Sequence, residues 1–379
     1  MLAVGMIRGK EGVYMFEISR PEIKKPEEVL VRVKEVGLDG TDFNMVRYRL
    51  QDIAEGYNEM AMGHEVVGIV EEVGNKVKSL SPGDPVSMTV RRGCGQCPPC
   101  LHNQSDMCMT GLYTERGIHK LSGFLTRFVV DEEQYIIKVP RKLIRLAVFT
   151  EPVSIAEKGI EQIKIVQSRL PWACSHAGHT FLSDDWGECK TAMVVGAGPL
   201  GLLATALLRL ARVHTYVADI VPEDSSKAHL ARHLGAIYLD ANSKTPKELV
   251  ELCCEAGKLD IVFEASGAAA TAVELISYMS RSSIYVMTGI PRGDVVIQTD
   301  AAQLVRQMVR YNQVIVGSVN SNRSHFEMAL KNIGEIDSRF DGMLSEMITH
   351  RFRLEEYEKA FALSDPRHIK TVIEVEPWD

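Results

Sequence analysis

The chain has 379 residues, 45% of them hydrophobic and 25% charged, with a formal net charge of −7. That length exceeds what one hydrophobic core serves, so two domains are expected. The acidic balance excludes a general nucleic-acid binder, which needs clustered Lys and Arg, and no apolar run approaches the ~20 residues of a membrane helix. Residues 1–9 read as a short strand and not as a signal peptide, because no long apolar stretch follows a basic start. Residues 29–36, 66–73 and 86–90 alternate apolar and polar positions like half-buried strands, with turn signals at Gly74-Asn75 and Pro82-Gly83-Asp84. The first ninety or so residues therefore predict a β-rich, partly barrel-like domain.

Two polar loops interrupt those strands: residues 37–42, with Asp39 and Thr41, and Gly63-His64-Glu65. Alone, a His-Glu pair is an ordinary surface feature. Joined by Glu151-Pro152, the side chains of Asp39, His64, Glu65 and Glu151 form a zinc-type set that leaves a coordination position open. The set requires these loops to converge in space. Thr41 offers a hydroxyl that can both accept and donate, suited to the first step of a proton relay.

Cys94, Cys97, Cys100 and Cys108 account for half of the eight cysteines. Without an export signal such clustering favours a metal over disulfides, and the interior of the cell, the cytoplasm, as the address. Four thiolates close a tetrahedral zinc site, so this lobe (about residues 93–110) is expected to be structural. Residues 171–190 read as a variable surface insertion. The spacing of Cys174, His176, His179 and Cys189 within it would also suit another metal.

The most informative stretch is residues 191–204. A β-branched strand (193–195) runs into Gly196-x-Gly198-x-x-Gly201 and then an apolar helix (200–211). This is the context the dinucleotide fingerprint needs. Gly196 makes the tight turn, Gly198 lets the backbone approach a pyrophosphate, and Gly201 lets the helix pack on the strand. Pro199 and Leu200 open the helix, whose N-terminal amides face the phosphates. Strand 215–218 ends at Asp219, about 20 residues past the turn, where a carboxylate binds a ribose 2′-OH and repels a 2′-phosphate. NAD is therefore the preferred cofactor; Lys227 and Arg232 keep NADP open. Segments 259–264 and 283–287 read as further parallel strands separated by helices, giving a doubly wound sheet. Strand carboxyl ends bind ligands in such sheets, which draws Thr288, Gly289, Ile290 and the 318–320 segment (Ser318, Asn320) to the cofactor. Lys370 is grouped with them. From 321 the chain reads as helical, with 355–361 one candidate, and strand 370–375 closes it.

These motifs, in this order, resemble a zinc-dependent medium-chain dehydrogenase. Segments 89–94, 113–118, 151–158 and 317–320, with His325-Phe326, resemble more narrowly the archaeal-type glucose 1-dehydrogenases. The resemblance implies an α/β fold: a doubly wound Rossmann domain (189–320) plus a β-rich GroES-like catalytic domain (1–188 and 321–379). It implies two zinc ions per chain and oxidation of an aldose, D-glucose to gluconolactone with D-galactose as a further substrate, by hydride transfer to NAD(P). Glu115, Asn320 and Thr89 would hydrogen-bond sugar hydroxyls, and Glu151 would contact substrate or zinc; which of Glu65 and Glu151 is the direct ligand stays open. Most of the superfamily has Cys where Asp39 stands, although a glucose dehydrogenase branch carries Asp. A carboxylate is a harder ligand than a thiolate, so looser zinc binding and a more Lewis-acidic metal are expected. A homo-oligomer, dimer or tetramer, is implied too. Other readings are a polyol or threonine dehydrogenase of the same superfamily, and a catalytically inactive relative serving as a binding protein.

Overall fold

The computed structural model describes residues 1–172, 178–183, 185–255, 258–291 and 296–378. The chain packs as two compact units: residues 1–154 with 320–334 and 344–379, and residues 155–319 with 335–343. No helix among the described residues is long and apolar enough to cross a membrane.

In the first unit a seven-stranded sheet runs in the order Ile136–Lys138, Pro85–Met88, Glu65–Val73, Glu28–Leu38, Lys370–Glu374, Ile348–Arg353, with Phe128–Glu132 also pairing the long Glu28–Leu38 strand. Apolar side chains of the central strand (Val29, Val31, Val33, Val36) pack with Val66, Val70, Met88, Phe124 and Ile136. The sequence expectation of a half-buried strand is corrected here, because Lys34 and Glu35 are buried as well. Both find partners in the C-terminal part of the chain, though Glu35 Oε2 is left without a hydrogen bond among the described residues. Lys34 Nζ donates to the Pro377 carbonyl (2.7 Å), and Glu35 Oε1 accepts from Arg351 (2.9 Å) and from the Trp378 indole (2.7 Å). The register then sets the site. Gly37 lies opposite Glu65 on one side and Val372 on the other, so Asp39, Glu65 and Lys370 meet at one end of the sheet. Residues 348–353, read from sequence as part of a helical tail, form an edge strand parallel to Lys370–Glu374.

The second unit holds a six-stranded parallel sheet ordered Ile237–Asp240, His214–Asp219, Thr191–Val195, Leu259–Glu264, Ile284–Met287, Val314–Gly317. The order reverses at Thr191–Val195, the mark of a doubly wound sheet. Thr191–Val195 and Leu259–Glu264 are buried at every position. Near-continuous apolar runs are what strands covered on both faces require.

The units divide at Ser154/Ile155, earlier than the 188/189 boundary drawn from the sequence. Most of the Thr150–Gln167 helix packs with the parallel sheet: a Cβ at Gly159 would lie 2.6 Å from the Phe263 ring. Gly159→Val should therefore lower stability by about 1–3 kcal/mol through overpacking. A urea midpoint equal to wild type would contradict this seating of the helix.

Candidate metal and dinucleotide sites

Asp39 is fixed by the helix it starts. It is the N-cap of Gly40–Arg47, and its Oδ1 accepts from the Thr41 and Asp42 amides (2.7 and 3.1 Å). Asp42 Oδ2 in turn accepts from the Asp39 amide (3.1 Å), completing a capping box. The Thr41 hydroxyl donates to Asp39 Oδ2 (3.2 Å). His64 follows Gly63, whose φ of +82° turns the chain inward. Its Nε2 lies 3.6 Å from Asp39 Oδ1 and its Nδ1 3.7 Å from Asp42 Oδ2. Glu65 opens its strand against Gly37, where a Cβ would overlap the Glu65 carboxylate. That carboxylate forms an ion pair with Lys370, and both residues are wholly buried.

Asp39, His64 and Glu65 each bring one ligand atom to a group spanning no more than 4.8 Å. Among the described residues, His64 Nδ1, Asp42 Oδ1 and Glu65 Oε1 are buried without a hydrogen-bond partner. Orphaned buried polar atoms are costly. Two ligands bound at ~2.1 Å to a tetrahedral zinc stand about 3.4 Å apart, close to the 3.6 Å between His64 and Asp39. The donor set fits zinc. Burial works against charge on His64, but the Asp39 and Asp42 carboxylates outweigh it and raise the imidazole pKa, so an incoming cation must displace a proton. Glu151, buried in the first turn of its helix, lies outside the ligand-atom group. Its carboxyl is pushed up to about 8, by burial first, with Glu65 and Asp39 adding to the shift and His64 and Lys370 opposing it.

Glu115 and Asn320 are brought together: Asn320 Nδ2 donates to Glu115 Oε1 (2.6 Å), which also accepts from Arg91 Nε (3.0 Å). Arg91 Nη1 donates in turn to the Asp106 carbonyl (2.7 Å). Thr89 lies elsewhere, with its hydroxyl donating to the Tyr135 carbonyl (3.4 Å) and accepting from Arg92 (3.3 Å). Sequence reasoning missed Arg91 and Asp42. The Asp-x-x-Asp spacing of a capping box could have flagged Asp42; Arg91 carries no local signal.

The Sγ atoms of Cys94, Cys97, Cys100 and Cys108 also fall within 4.8 Å of one another, with 3.9 Å between Cys94 and Cys100 and 4.0 Å between Cys97 and Cys108. Four sulfurs at ~2.3 Å from one zinc are separated by about 3.8 Å. All four are free thiols. The Thr110 hydroxyl and backbone amides lower the Cys94 thiol to about 6, while burial and the neighbouring thiols push Cys100 up to about 12. Leu101, Met107, Met109 and Leu112 are exposed. The lobe thus lacks a core of its own.

In the second unit the three fingerprint glycines separate by cause. Gly196 has a φ of +100°, and a Cβ at Gly201 would overlap the Gly196 carbonyl. At Gly198 a Cβ would meet no atom of the described residues within 4 Å. The chain itself gives no reason for glycine there, whereas a ligand lying against the backbone does. Gly198 is the N-cap of Pro199–Leu210 and makes no side-chain cap bond; the Leu202 amide already donates to the Gly198 carbonyl (2.9 Å), so the Leu200 and Gly201 amides are left to a ligand. Asp219 accepts from the Ala197 and Val221 amides (3.2 Å for Val221), which holds its carboxylate at the glycine turn. Thr288 donates to the Glu264 carbonyl (2.7 Å), Gly289 abuts Gly267 and the Glu264 carboxylate, Ile290 is exposed, and Ser318 is buried. Asn320 and Lys370 belong to the first unit.

A doubly wound nucleotide-type sheet, a separate β-rich unit and two clusters suited to zinc define the class of zinc-dependent medium-chain dehydrogenases. Residues 25–141 match the alcohol dehydrogenase GroES-like domain family, and residues 144–375 match the glucose dehydrogenase C-terminus family. Glucose 1-dehydrogenase 2 of Vulcanisaeta moutnovskia is 34% identical over 378 residues, 99% of each chain. Glucose 1-dehydrogenase 1 of Caldivirga maquilingensis is 33% identical over 371 residues, 97% of this chain and 96% of the relative. The crystal structure of Haloferax mediterranei glucose dehydrogenase in complex with NADP, Zn and gluconolactone superposes with a TM-score of 0.87 at 29% identity, covering 100% of both chains. The chain belongs to the glucose dehydrogenase family of that class.

Two outcomes test the sites. Cys97→Ser should remove one zinc and lower the thermal midpoint, leaving a second zinc in the folded fraction; unchanged stability with two metals bound would contradict a structural lobe. Gly198→Ala should keep the wild-type midpoint yet lose nicotinamide-cofactor binding by fluorescence titration, whereas Gly201→Ala should lose both. Equal stability losses at the two glycines would contradict the separation.

Proposed function

We propose that this chain oxidises an aldose at its anomeric hydroxyl, D-glucose to gluconolactone, with D-galactose as a further substrate. The observation that carries this reading is the Asp39–His64–Glu65 cluster, half-buried at Asp39 and buried at His64 and Glu65, in a chain that matches glucose dehydrogenases along nearly its whole length. Asp39, His64 and Glu65 would hold the catalytic zinc, and the four cysteines a structural one. When bound, the catalytic zinc supplies Lewis acidity that lowers the pKa of a substrate hydroxyl. The nicotinamide cofactor accepts the hydride.

Glu65 supports the ligand role better than Glu151, since only Glu65 belongs to the ligand-atom group. Glu151, buried outside that group with its carboxyl pushed up by burial, is the member of the set left to contact the sugar. Thr41, already hydrogen-bonded to Asp39, can take a proton from the substrate hydroxyl while releasing its own, the first step of a relay. Glu115 offers an acceptor and Asn320 a donor side by side, held by Arg91, which suits reading two sugar hydroxyls. Thr89 would act through the same recognition more weakly. Gly196, Gly198, Pro199, Leu200, Gly201, Asp219, Thr288, Gly289, Ile290 and Ser318 would line the dinucleotide, and Asn320 and Lys370 are the further cofactor contacts of this reading. NAD is the better fit than NADP: Asp219 repels a 2′-phosphate, and Arg232 is engaged by Glu223 (3.2 Å). A dimer or tetramer completes the proposal, supported by the exposed Val305 and Val309 on the Ala301–Tyr311 helix. Free thiols in the lobe fit a reducing, cytoplasmic setting.

Initial rates of NADH and NADPH formation with D-glucose, D-galactose, D-xylose, sorbitol and L-threonine test the reading on zinc-repleted and chelated protein. Glucose should turn over, faster with NAD than with NADP, and chelation should abolish it. Turnover confined to sorbitol or threonine would overturn the sugar assignment. Turnover that survives complete chelation would overturn the role given to zinc.

A further inference from the structure

Outside both metal clusters, the second unit holds a third group of reactive side chains. Cys189 lies just before the Thr191–Val195 strand. His179 Nδ1 stands 3.3 Å from its Sγ, and Lys190 Nζ donates to that sulfur at 3.0 Å. His179 is buried, with Nε2 2.7 Å from the Asp185 backbone carbonyl and 3.4 Å from Asp185 Oδ1. A carbonyl oxygen only accepts, so Nε2 carries the hydrogen; in the neutral form of the ring Nδ1 is then the acceptor that faces the sulfur. Lys190 is 1% exposed, and its ammonium also sits 4.8 Å from the centre of the Phe181 ring. Buried away from water, its charge acts on the sulfur with less screening than at the surface. Cys189 itself is half-buried, within reach of a small reagent. Cys174 and His176, grouped with these residues by spacing, lie outside the described residues.

We propose that Cys189 is a reactive thiolate and a site of reversible oxidation by hydroperoxides, with His179 as its base and Lys190 as its counter-charge. A nucleophile within hydrogen-bond reach of a base, itself oriented by a third group, is the arrangement that activates a thiol. The thiolate, not the thiol, is the reacting form. His179 Nδ1 takes the thiol proton, and the sulfur attacks one oxygen of hydrogen peroxide. An S–O bond forms as the O–O bond breaks; sulfur gives up two electrons and the peroxide is reduced. The departing hydroxide collects the proton from His179 and leaves as water, and Cys189 is left as a sulfenic acid that thiols can reduce.

Cys254 provides an internal control. It is half-buried too, but its Sγ meets the neutral Ser280 hydroxyl at 3.7 Å. The full-length, zinc-loaded protein is pulsed with iodoacetamide between pH 5.5 and 9, with each cysteine followed by mass spectrometry. At pH 6.5 an ordinary thiol is only about 1% thiolate. Cys189 should then alkylate on the order of tenfold faster than Cys254, and its rate should level off below pH 8. Hydrogen peroxide with dimedone should tag Cys189 and spare Cys254. Lys190→Met and His179→Asn should each slow Cys189 labelling several-fold in protein with a wild-type circular dichroism spectrum. Two results would overturn the proposal: Cys189 and Cys254 rising together toward pH 8.5, or a Cys189 protected until a chelator removes a third zinc.

Discussion

The ion pair between Glu65 and Lys370 is the constraint on which the first unit depends. Both side chains are wholly buried, and a charge taken out of water is tolerated only against a partner. Removing one partner of such a pair typically costs about 3–5 kcal/mol, because the other is left uncompensated. The pair ties the Glu65–Val73 strand to the closing Lys370–Glu374 strand across Gly37 of the Glu28–Leu38 strand between them. Only a residue without a side chain fits there, since a Cβ would overlap the Glu65 carboxylate. The end of the chain therefore completes the cluster that its first seventy residues begin.

The two metal clusters are built for different work. The cysteine lobe spends all four thiols on one closed set, in a loop with little core of its own, so metal and fold stand or fall together. At the other cluster Asp39 already serves the backbone. Three of its roughly four lone-pair sites are engaged by the Thr41 and Asp42 amides and the Thr41 hydroxyl. That leaves a carboxylate held rigidly in place but with little donor capacity to spare, consistent with a weakly held, more electrophilic metal. A thiolate at this position would bind metal more tightly and cap the helix less well.

Local features were legible in the sequence, and register was not. The cysteine spacing and the strand–turn–helix of residues 191–204 each carry their geometry within twenty residues, and the structure places both as read. His64 and Glu65 were identifiable only in company, since what aligns them with Asp39 is the pairing of Gly37 with Glu65. The same long-range order hid the partner of Lys370: nothing near it in sequence shows that its ammonium lies buried against Glu65. Lys34 and Glu35 made the central strand look half-exposed, because nothing nearby in sequence shows that Pro377, Trp378 and Arg351 would pair with them. Residues 348–353 hid for a related reason: an edge strand pairs on one side only and keeps polar positions.

The central claim is that one sheet register assembles a second, thiol-free zinc site. Zinc-edge X-ray absorption on the fully loaded protein tests it most directly. Two zinc ions per chain are expected, one with four sulfur neighbours at ~2.3 Å and one with nitrogen and oxygen neighbours at ~2.0–2.2 Å and no sulfur. A single zinc in an all-sulfur shell, with the Asp39–His64–Glu65 cluster binding none, would contradict it.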